Sequence, residues 1–151
     1  MKKLLTCLIL MTFVTSLTGA QSAMDQPNPP SFLEGVKATM QKYLGRPYVW
    51  GATGMKSFDC SGYVWRVLYE NGVLMKRTTT RKLYMTLPPV PKEEQWKFGT
   101  LIFFDDLTHV GIVDSPQGFY HAQVIYGTER SEITPFWRRK IYGFRRLPTA
   151  P

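Results

Sequence analysis

Apolar residues recur at helical spacing in two segments of the first half of the chain. The first helix is predicted to begin after Ser31, which forms a capping-box pattern with Glu34, and to stop at Gly45. The second helix is predicted over residues 59–71, followed by Gly72 as a natural C′ residue. Its apolar face is formed by Val64, Val67 and Leu68. The first half of the chain is therefore predicted to supply the helices.

The second half has a different pattern, in which short apolar or alternating runs are broken by turn residues. These runs predict strands over residues 101–104, 109–114, 118–126 and 140–147. Between helices and strands, residues 76–95 contain three prolines and predict a loop with a short helical piece. Helices followed by strands indicate an α+β domain, with N-terminal helices packed on a C-terminal antiparallel β-sheet.

The first residues have the order of a secretory signal peptide. Lys2 and Lys3 precede a largely apolar stretch that ends in small residues, with a cleavage site near Ala20 or Ala23. The stretch is shorter than a membrane span and contains hydroxyl side chains, which argues against a stable membrane anchor. The predicted organisation is a signal peptide (1–23), a flexible leader (24–31) and one folded domain (32–151). We therefore expect a periplasmic or secreted protein.

The charge balance favours anionic surroundings. The formal net charge of +8 falls to about +6 if Lys2 and Lys3 leave with the signal peptide. No zinc-ligand spacing, phosphate-binding glycine loop or RNA-binding signature occurs in the sequence. We therefore predict no metal, no cofactor and no nucleic-acid partner, but electrostatic attraction to anionic envelope polymers.

Removal of the signal peptide would take away Cys7 and leave Cys60 as the only cysteine. A lone thiol in an exported protein is either a reactive group or a small buried hydrophobe. Cys60 lies where a loop becomes the second helix, and a helix N-terminus can lower a thiol pKa from about 8.5 to roughly 3.5–7.5. Asp59 is a good N-cap for the same helix, although its negative charge opposes the thiolate.

The chain contains two histidines, His109 and His121, on neighbouring predicted strands. Residues 114–118 resemble a hairpin loop, and if residue 111 faces residue 121 the two histidines share one sheet face about 7–8 Å apart. A register slip of one residue would place them on opposite faces. In the favoured register one imidazole can take the proton of Cys60 while the other fixes its tautomer, as acyl transfer requires.

Several motifs together resemble the NlpC/P60 family of cell-wall cysteine peptidases, over about residues 36–147. The first two are Tyr48-Val49-Trp50-Gly51 and Phe58-Asp59-Cys60-Ser61-Gly62-Tyr63-Val64. The later ones are Gly99-Thr100-Leu101-Ile102-Phe103-Phe104, His109-Val110-Gly111-Ile112-Val113 and Tyr120-His121-Ala122. The resemblance implies a papain-like fold and makes residues 32–151 a catalytic domain.

The resemblance also implies a role for each matching residue. It makes Cys60 the nucleophile, His109 the general base and His121 the third member of a catalytic triad. It places the hydroxyl of Tyr48 beside the nucleophile, where it helps to bind the oxyanion. It assigns Asp59 and Ser61 to contacts with the free amine of a peptidoglycan stem peptide.

The activity implied is hydrolysis of an amide bond in peptidoglycan stem peptides or crosslinks, through a thioester on Cys60. Two alternatives stay open at this point. One is a catalytically inactive domain that binds murein or a protein, and the other is a thiol acyltransferase or lipid-amide hydrolase on the same fold. The intact Cys60, His109 and His121 argue for an active enzyme.

Overall fold

The structure is a computed structural model that describes residues 31–149 of the 151-residue chain. The predicted signal peptide, Cys7 and all but the last residue of the predicted leader lie outside these residues. The helices are α1 (Phe32–Lys42), α2 (Cys60–Glu70), α3 (Thr80–Thr86) and α4 (Pro135–Lys140). The strands are β1 (Leu101–Phe104), β2 (His109–Ser115), β3 (Gly118–Gln123), β4 (Gly127–Glu132) and β5 (Ile141–Arg145). Within the described residues no helix is both long enough and apolar enough to cross a lipid bilayer.

Side-chain caps define where the two predicted helices begin, and both predictions are confirmed. The backbone N–H of Ser31 donates to Glu34 Oε2 over 2.7 Å, which completes the capping box of α1. Asp59 caps α2 by accepting from the backbone N–H of Gly62 over 2.6 Å. Gly72 follows α2 with a φ of +81°, a conformation that an L residue adopts only with strain.

Five antiparallel strands form one sheet in the order β4-β3-β2-β1-β5. The α+β class and the strands over 101–104 and 109–114 are confirmed. The prediction of one strand over 118–126 is wrong, because the chain turns after Gln123 and returns as β4. The strand predicted over 140–147 is shorter and is preceded by α4. β4 has the sequence Gly-Thr-Glu-Arg-Ser-Glu, which lacks the apolar alternation that reveals a strand.

The sheet buries both of its faces. One face packs against α1 and α2, with Val110, Ile112 and Ala122 of the sheet in the same core as Val64 and Val67 of α2. The second face carries a smaller apolar cluster formed by Ile102, Phe104, Val113, Phe119, Ile133 and Phe144, with Trp96 and Trp137 packed against it. Because side chains alternate between faces, the residues at 109 and 121 fall on the second face. The first turn of α2, which carries Cys60, contacts the chain at Thr108, just before β2 begins.

Candidate active site

Cys60 is the first residue of α2 and the only cysteine among the described residues. Its side chain is 5 % exposed and lies 3.6 Å from Thr80 Oγ1, measured from Sγ. The thiol donates to the carbonyl oxygen of Thr108 over 3.7 Å, and the backbone N–H of Val110 also approaches the sulfur. The residues on either side of His109 thus contact Cys60.

The thiol lies in a cleft of about 670 Å³. The cleft is lined by Trp50, Gly51, Asp59, Cys60, Ser61, Arg77, Thr78, Thr79, Thr80, Arg81, Leu107 and Thr108. Two of these residues are arginines, whereas Asp59 is the one acid, and Arg77 is paired with it. The guanidinium of Arg81 therefore leaves the cleft with a net positive charge, which favours an anionic ligand.

The Cys60 thiol is less acidic than its place at a helix N-terminus predicts. Burial raises the pKa of the thiol, and the charge of Asp59 raises it further. The Thr80 hydroxyl and the N–H groups of Val110 and Ser61 lower the pKa, but burial is the largest effect. A helix N-terminus by itself lowers a thiol pKa, but here the net shift is upward, because the hydration that a nearly enclosed thiolate loses outweighs the stabilisation by the helix terminus.

The carboxylate of Asp59 organises the loop in front of α2. It accepts from the N–H groups of Gly62 and Gly51 over 2.6 and 2.9 Å and from the Ser61 hydroxyl over 3.1 Å. The guanidinium of Arg77 donates to both carboxylate oxygens over 2.7 Å. Both oxygens are thus occupied, so a ligand amine would have to displace Arg77 in order to reach them.

The two histidines lie on adjacent strands in the register that the sequence predicts. Gly111 pairs with His121, and Nε2 of His109 lies 2.7 Å from Nδ1 of His121. The ring planes are inclined at 82° with their centroids 4.9 Å apart, closer than the diagonal spacing of the backbone. His109 and His121 therefore form one hydrogen-bonded pair, as predicted.

The hydrogen bonds continue from the histidine pair onto β4. His121 Nε2 lies 2.9 Å from Ser131 Oγ, and the Ser131 hydroxyl donates to Glu129 Oε1 over 2.7 Å. The side-chain amide of Gln123 donates to the same oxygen of Glu129. Ser131 and Glu129 were not predicted as part of the site, because β4 was not predicted as a strand. Their spacing of two residues, which puts both on one face of a strand, was the available signal.

Aromatic side chains enclose the histidine pair. Trp137 stacks on His109 at 5.7 Å between centroids and contacts His121 edge-on at 5.1 Å, while Phe119 packs 4.4 Å from His121. Burial lowers the pKa of His109 to about 4, with smaller effects of Asp105, which raises it, and Lys140, which lowers it. Burial likewise lowers the pKa of His121 to about 3, and the charge of His109 acts in the same direction. Both imidazoles are consequently neutral at pH 7.

Tyr48 forms a parallel bridge with Phe58, which precedes Cys60 by two residues. Burial raises the pKa of its phenol, and the negative charges of Cys60 and Asp59 raise it further. The phenol therefore keeps its proton at neutral pH and can act as a hydrogen-bond donor near Cys60.

The loop between β1 and β2 has an unusual backbone that shapes one wall of the cleft. Asp105, Asp106 and Leu107 have φ values of 46°, 52° and 69°, in the left-handed region that L residues rarely adopt. Lys140 Nζ donates to the Asp105 carboxylate over 2.9 and 3.1 Å, and Arg81 donates to the Asp106 carbonyl over 3.1 Å. Such strain persists only where the surroundings hold it, and here it directs the chain into His109.

The fold and the site define a class of α+β domains in which a cysteine at a helix N-terminus contacts the residues on either side of a histidine that is hydrogen-bonded to a second histidine on the sheet. Comparison with known proteins gives the family: the family model of the NlpC/P60 family matches residues 45–146. The chain therefore belongs to the NlpC/P60 family.

Relatives agree with this membership at modest identity. The chain is 36 % identical over 114 residues to "Probable endopeptidase p60" of Listeria monocytogenes, covering 73 % of this chain and 23 % of that protein. It is 27 % identical over 155 residues to "Probable endopeptidase NlpC" of Escherichia coli, covering 93 % of this chain and 98 % of that protein. The chain thus spans about a quarter of the Listeria relative and almost the full length of the Escherichia coli relative.

A solved structure shows the same fold. An NLP/P60-family protein from Staphylococcus aureus superposes with a TM-score of 0.68 at 29 % identity, covering 79 % of this chain and 42 % of that chain. The predicted fold of this family is confirmed.

Proposed function

We propose that the protein is a cysteine peptidase that hydrolyses amide bonds in peptidoglycan stem peptides or crosslinks. The observation that carries the proposal is the thiol of Cys60 in a cleft, in contact with both neighbours of a hydrogen-bonded histidine. Two relatives that cover most of this chain are named as endopeptidases, which supports peptide-bond hydrolysis.

The charge of the cleft supports an acidic substrate. Arg81 and Arg77 line it, and Asp59 neutralises only Arg77. Stem peptides carry free carboxylates, so a positive cleft attracts them. Two bonds suit such a site: D-Glu to meso-diaminopimelate within a stem, and D-Ala to meso-diaminopimelate across a crosslink.

The reaction would proceed in two halves. His109 takes the proton of Cys60 as the sulfur attacks the carbonyl carbon, and the phenol of Tyr48 with nearby backbone N–H groups stabilises the oxyanion. His109 then gives that proton to the leaving amine, which departs and leaves a thioester on Cys60. Water, losing a proton to His109, attacks the thioester; the carboxylate product leaves and the thiol is restored.

The resting thiol must turn before the first step. Among the residues described here its hydrogen-bond partners are Thr80 and Thr108, while the His109 ring is bonded to His121. Catalytic hydrogen bonds are often loose without substrate and tighten in the complex. We propose that the side chain of Cys60 rotates toward His109 when a stem peptide fills the cleft.

We also propose, from the resemblance to the NlpC/P60 family, that Asp59 and Ser61 contact the free amine of the substrate. A free amine would take the place of Arg77 on the carboxylate of Asp59, exchanging one cation for another.

The further proposal that residues 1–23 are a removable signal peptide is tested by intact-mass analysis of the exported protein. A mature chain that retains Lys2 and Lys3 would contradict the envelope location.

Digestion of defined muropeptides, read by mass spectrometry, tests the proposed activity and identifies the bond. The substrates are an uncrosslinked tetrapeptide and a crosslinked dimer, each with and without its disaccharide. We expect one of the substrates to disappear and to be replaced by products whose masses sum to that of the substrate plus one water. Intact substrates after incubation with folded protein would contradict the proposal and favour a binding domain.

A further inference from the structure

The hydrogen bonds that run from β4 to β2 have a direction, and the acid at their far end sets it. Glu129 lies opposite His121 in the pairing of β3 with β4, and its carboxylate accepts from Ser131 and from Gln123. An ionised carboxylate has only acceptor sites, so the Ser131 hydroxyl must donate its one hydrogen bond to Glu129. Ser131 Oγ can then meet a ring nitrogen only as an acceptor.

This direction passes through both rings. Because Ser131 Oγ accepts, His121 Nε2, at 2.9 Å, carries the proton and donates it. A neutral imidazole holds one proton, so His121 Nδ1 is an acceptor. Nε2 of His109, at 2.7 Å from that atom, must therefore be the donor. The lone pair of His109 is left on Nδ1, the ring nitrogen that can receive a proton from a thiol.

We propose that Glu129 and Ser131 are positioning residues that hold His109 with its proton on Nε2 and its lone pair on Nδ1. The assignment rests on the proposed role of His109 as the base of a cysteine peptidase. It extends the site from β2 and β3 onto a third strand, since the row His109, His121, Ser131 and Glu129 lies across β2, β3 and β4.

The surroundings of the row make the direction persistent. His121 is fully buried, and Phe119 and Trp137 pack against its ring. Buried polar groups keep their partners because an unmade hydrogen bond costs more there than in water. Moving the proton of one ring alone would leave two donors or two acceptors facing each other, so the two rings and the Ser131 hydroxyl change direction together.

The test reads the tautomers directly, without substrate. The chain has two histidines, so selective ¹⁵N labelling of histidine gives two ring systems. Long-range ¹H–¹⁵N spectra at pH 7 should show the Nε2–H form for both rings. In Glu129→Gln the new amide can donate to Ser131, whose hydroxyl is then free to donate to His121 Nε2. We expect the Nδ1–H form to become populated in that variant.

Activity on a muropeptide gives the second readout. In Glu129→Gln we expect kcat to fall about ten- to a hundredfold with KM unchanged within about twofold, as for loss of an outer group that orients a histidine. Ser131→Thr, which keeps the hydroxyl, should behave as the wild type. Ser131→Ala should be milder than Glu129→Gln, because Glu129 Oε1 lies 3.5 Å from His121 Nε2 and can accept directly. Glu132→Gln, an exposed position on the same strand, is the matched control.

Each outcome decides the proposal. An Nδ1–H ring in the wild type, or a Glu129→Gln variant with wild-type spectrum and kcat, would overturn it. If Glu129→Gln does not fold, the wild-type spectrum and the Ser131→Thr and Ser131→Ala pair decide instead. If the spectra follow expectation but no muropeptide is cleaved, the positioning is supported and the proposed function fails on its own.

Discussion

The reactivity of Cys60 is set by opposing effects on one atom. The start of α2 offers N–H groups to the sulfur, and the Thr80 hydroxyl lies 3.6 Å away, both of which favour the thiolate. Burial and the charge of Asp59 favour the thiol, and burial is the largest of these effects. At neutral pH Cys60 is therefore a neutral thiol and His109 a neutral imidazole, so the proposed reaction would form the thiolate only as it proceeds.

Alkylation by iodoacetamide measures this balance. Because the thiolate is the attacking species and the pKa of Cys60 is raised, the rate at pH 7 should lie below that of a free cysteine and climb steeply toward alkaline pH. Thr80→Val removes the hydroxyl at constant shape and should move the profile to still higher pH. A rate that stays high and flat below pH 7 would mean a thiolate–imidazolium pair and would contradict this account.

The buried histidines make stability depend on pH. Their pKa values of about 4 and about 3 lie below the ordinary 6.5, so between pH 6.5 and 4 the unfolded chain binds more protons than the folded chain. The free energy of unfolding should thus be highest above pH 6.5 and fall as pH drops toward 4. The charge of Asp105 raises the pKa of His109 and that of Lys140 lowers it, while Glu129 Oε1 faces the pair at 3.5 Å from His121 Nε2. Urea unfolding between pH 5 and 7 measures the slope, which should be smaller in His121→Gln; equal slopes would refute the assignment.

At the scale of elements, the position of Cys60 depends on how closely α2 approaches the loop before it. A Cβ on Gly62 would lie 2.1 Å from the carbonyl oxygen of Ala52, which accepts from the N–H of Asp59 over 3.1 Å. A backbone oxygen cannot withdraw as a flexible side chain can. Because Gly62 has no side chain, the first turn of α2 can approach the Ala52 carbonyl this closely, and this approach sets the position of Cys60 in the cleft.

Gly62→Ala should displace the first turn of α2 and the thiol with it. We expect a loss of stability of about 1–3 kcal/mol, typical of overpacking at a tight contact, and a larger fall in activity than that loss explains. Gly54→Ala is the matched control, since its nearest neighbour to a new Cβ is 4.0 Å away. Urea unfolding and alkylation of Cys60 measure the two effects; a Gly62→Ala variant as stable and reactive as Gly54→Ala would disprove the packing argument.

The elements that the sequence predicted are those with a local signal. The capping box at Ser31, the cap at Asp59 and the apolar runs of β1 and β2 are each encoded within a few residues. β4 has no such signal, because its residues are polar and it is held by pairing with β3. For the same reason Ser131 and Glu129 were not predicted, whereas Cys60, His109 and His121 were proposed as site residues from residue type and motif. The direction of the pKa shift of Cys60 could not be predicted from the sequence, because burial depends on the folded chain and not on position in a helix.

At the scale of the whole molecule, the sheet separates two apolar cores, and the candidate site lies at the end of the sheet where β2 begins. α1 and α2 cover one face, while Trp137 of α4 covers the histidines on the other. Cys60 belongs to the helical side and His109 to the opposite side, so the site forms only where α2 reaches the first residues of β2. The proposed chemistry therefore requires the complete domain with both cores folded.

The central claim is that Cys60 attacks a stem-peptide amide and His109 serves as its base. The most direct measurement is the initial rate of muropeptide cleavage by the wild type and by Cys60→Ala, His109→Ala and His121→Ala, with folding of each variant verified by circular dichroism. We predict cleavage by the wild type, loss of at least about a thousandfold in Cys60→Ala and His109→Ala, and a milder loss in His121→Ala. Cleavage that survives in folded Cys60→Ala would contradict the account.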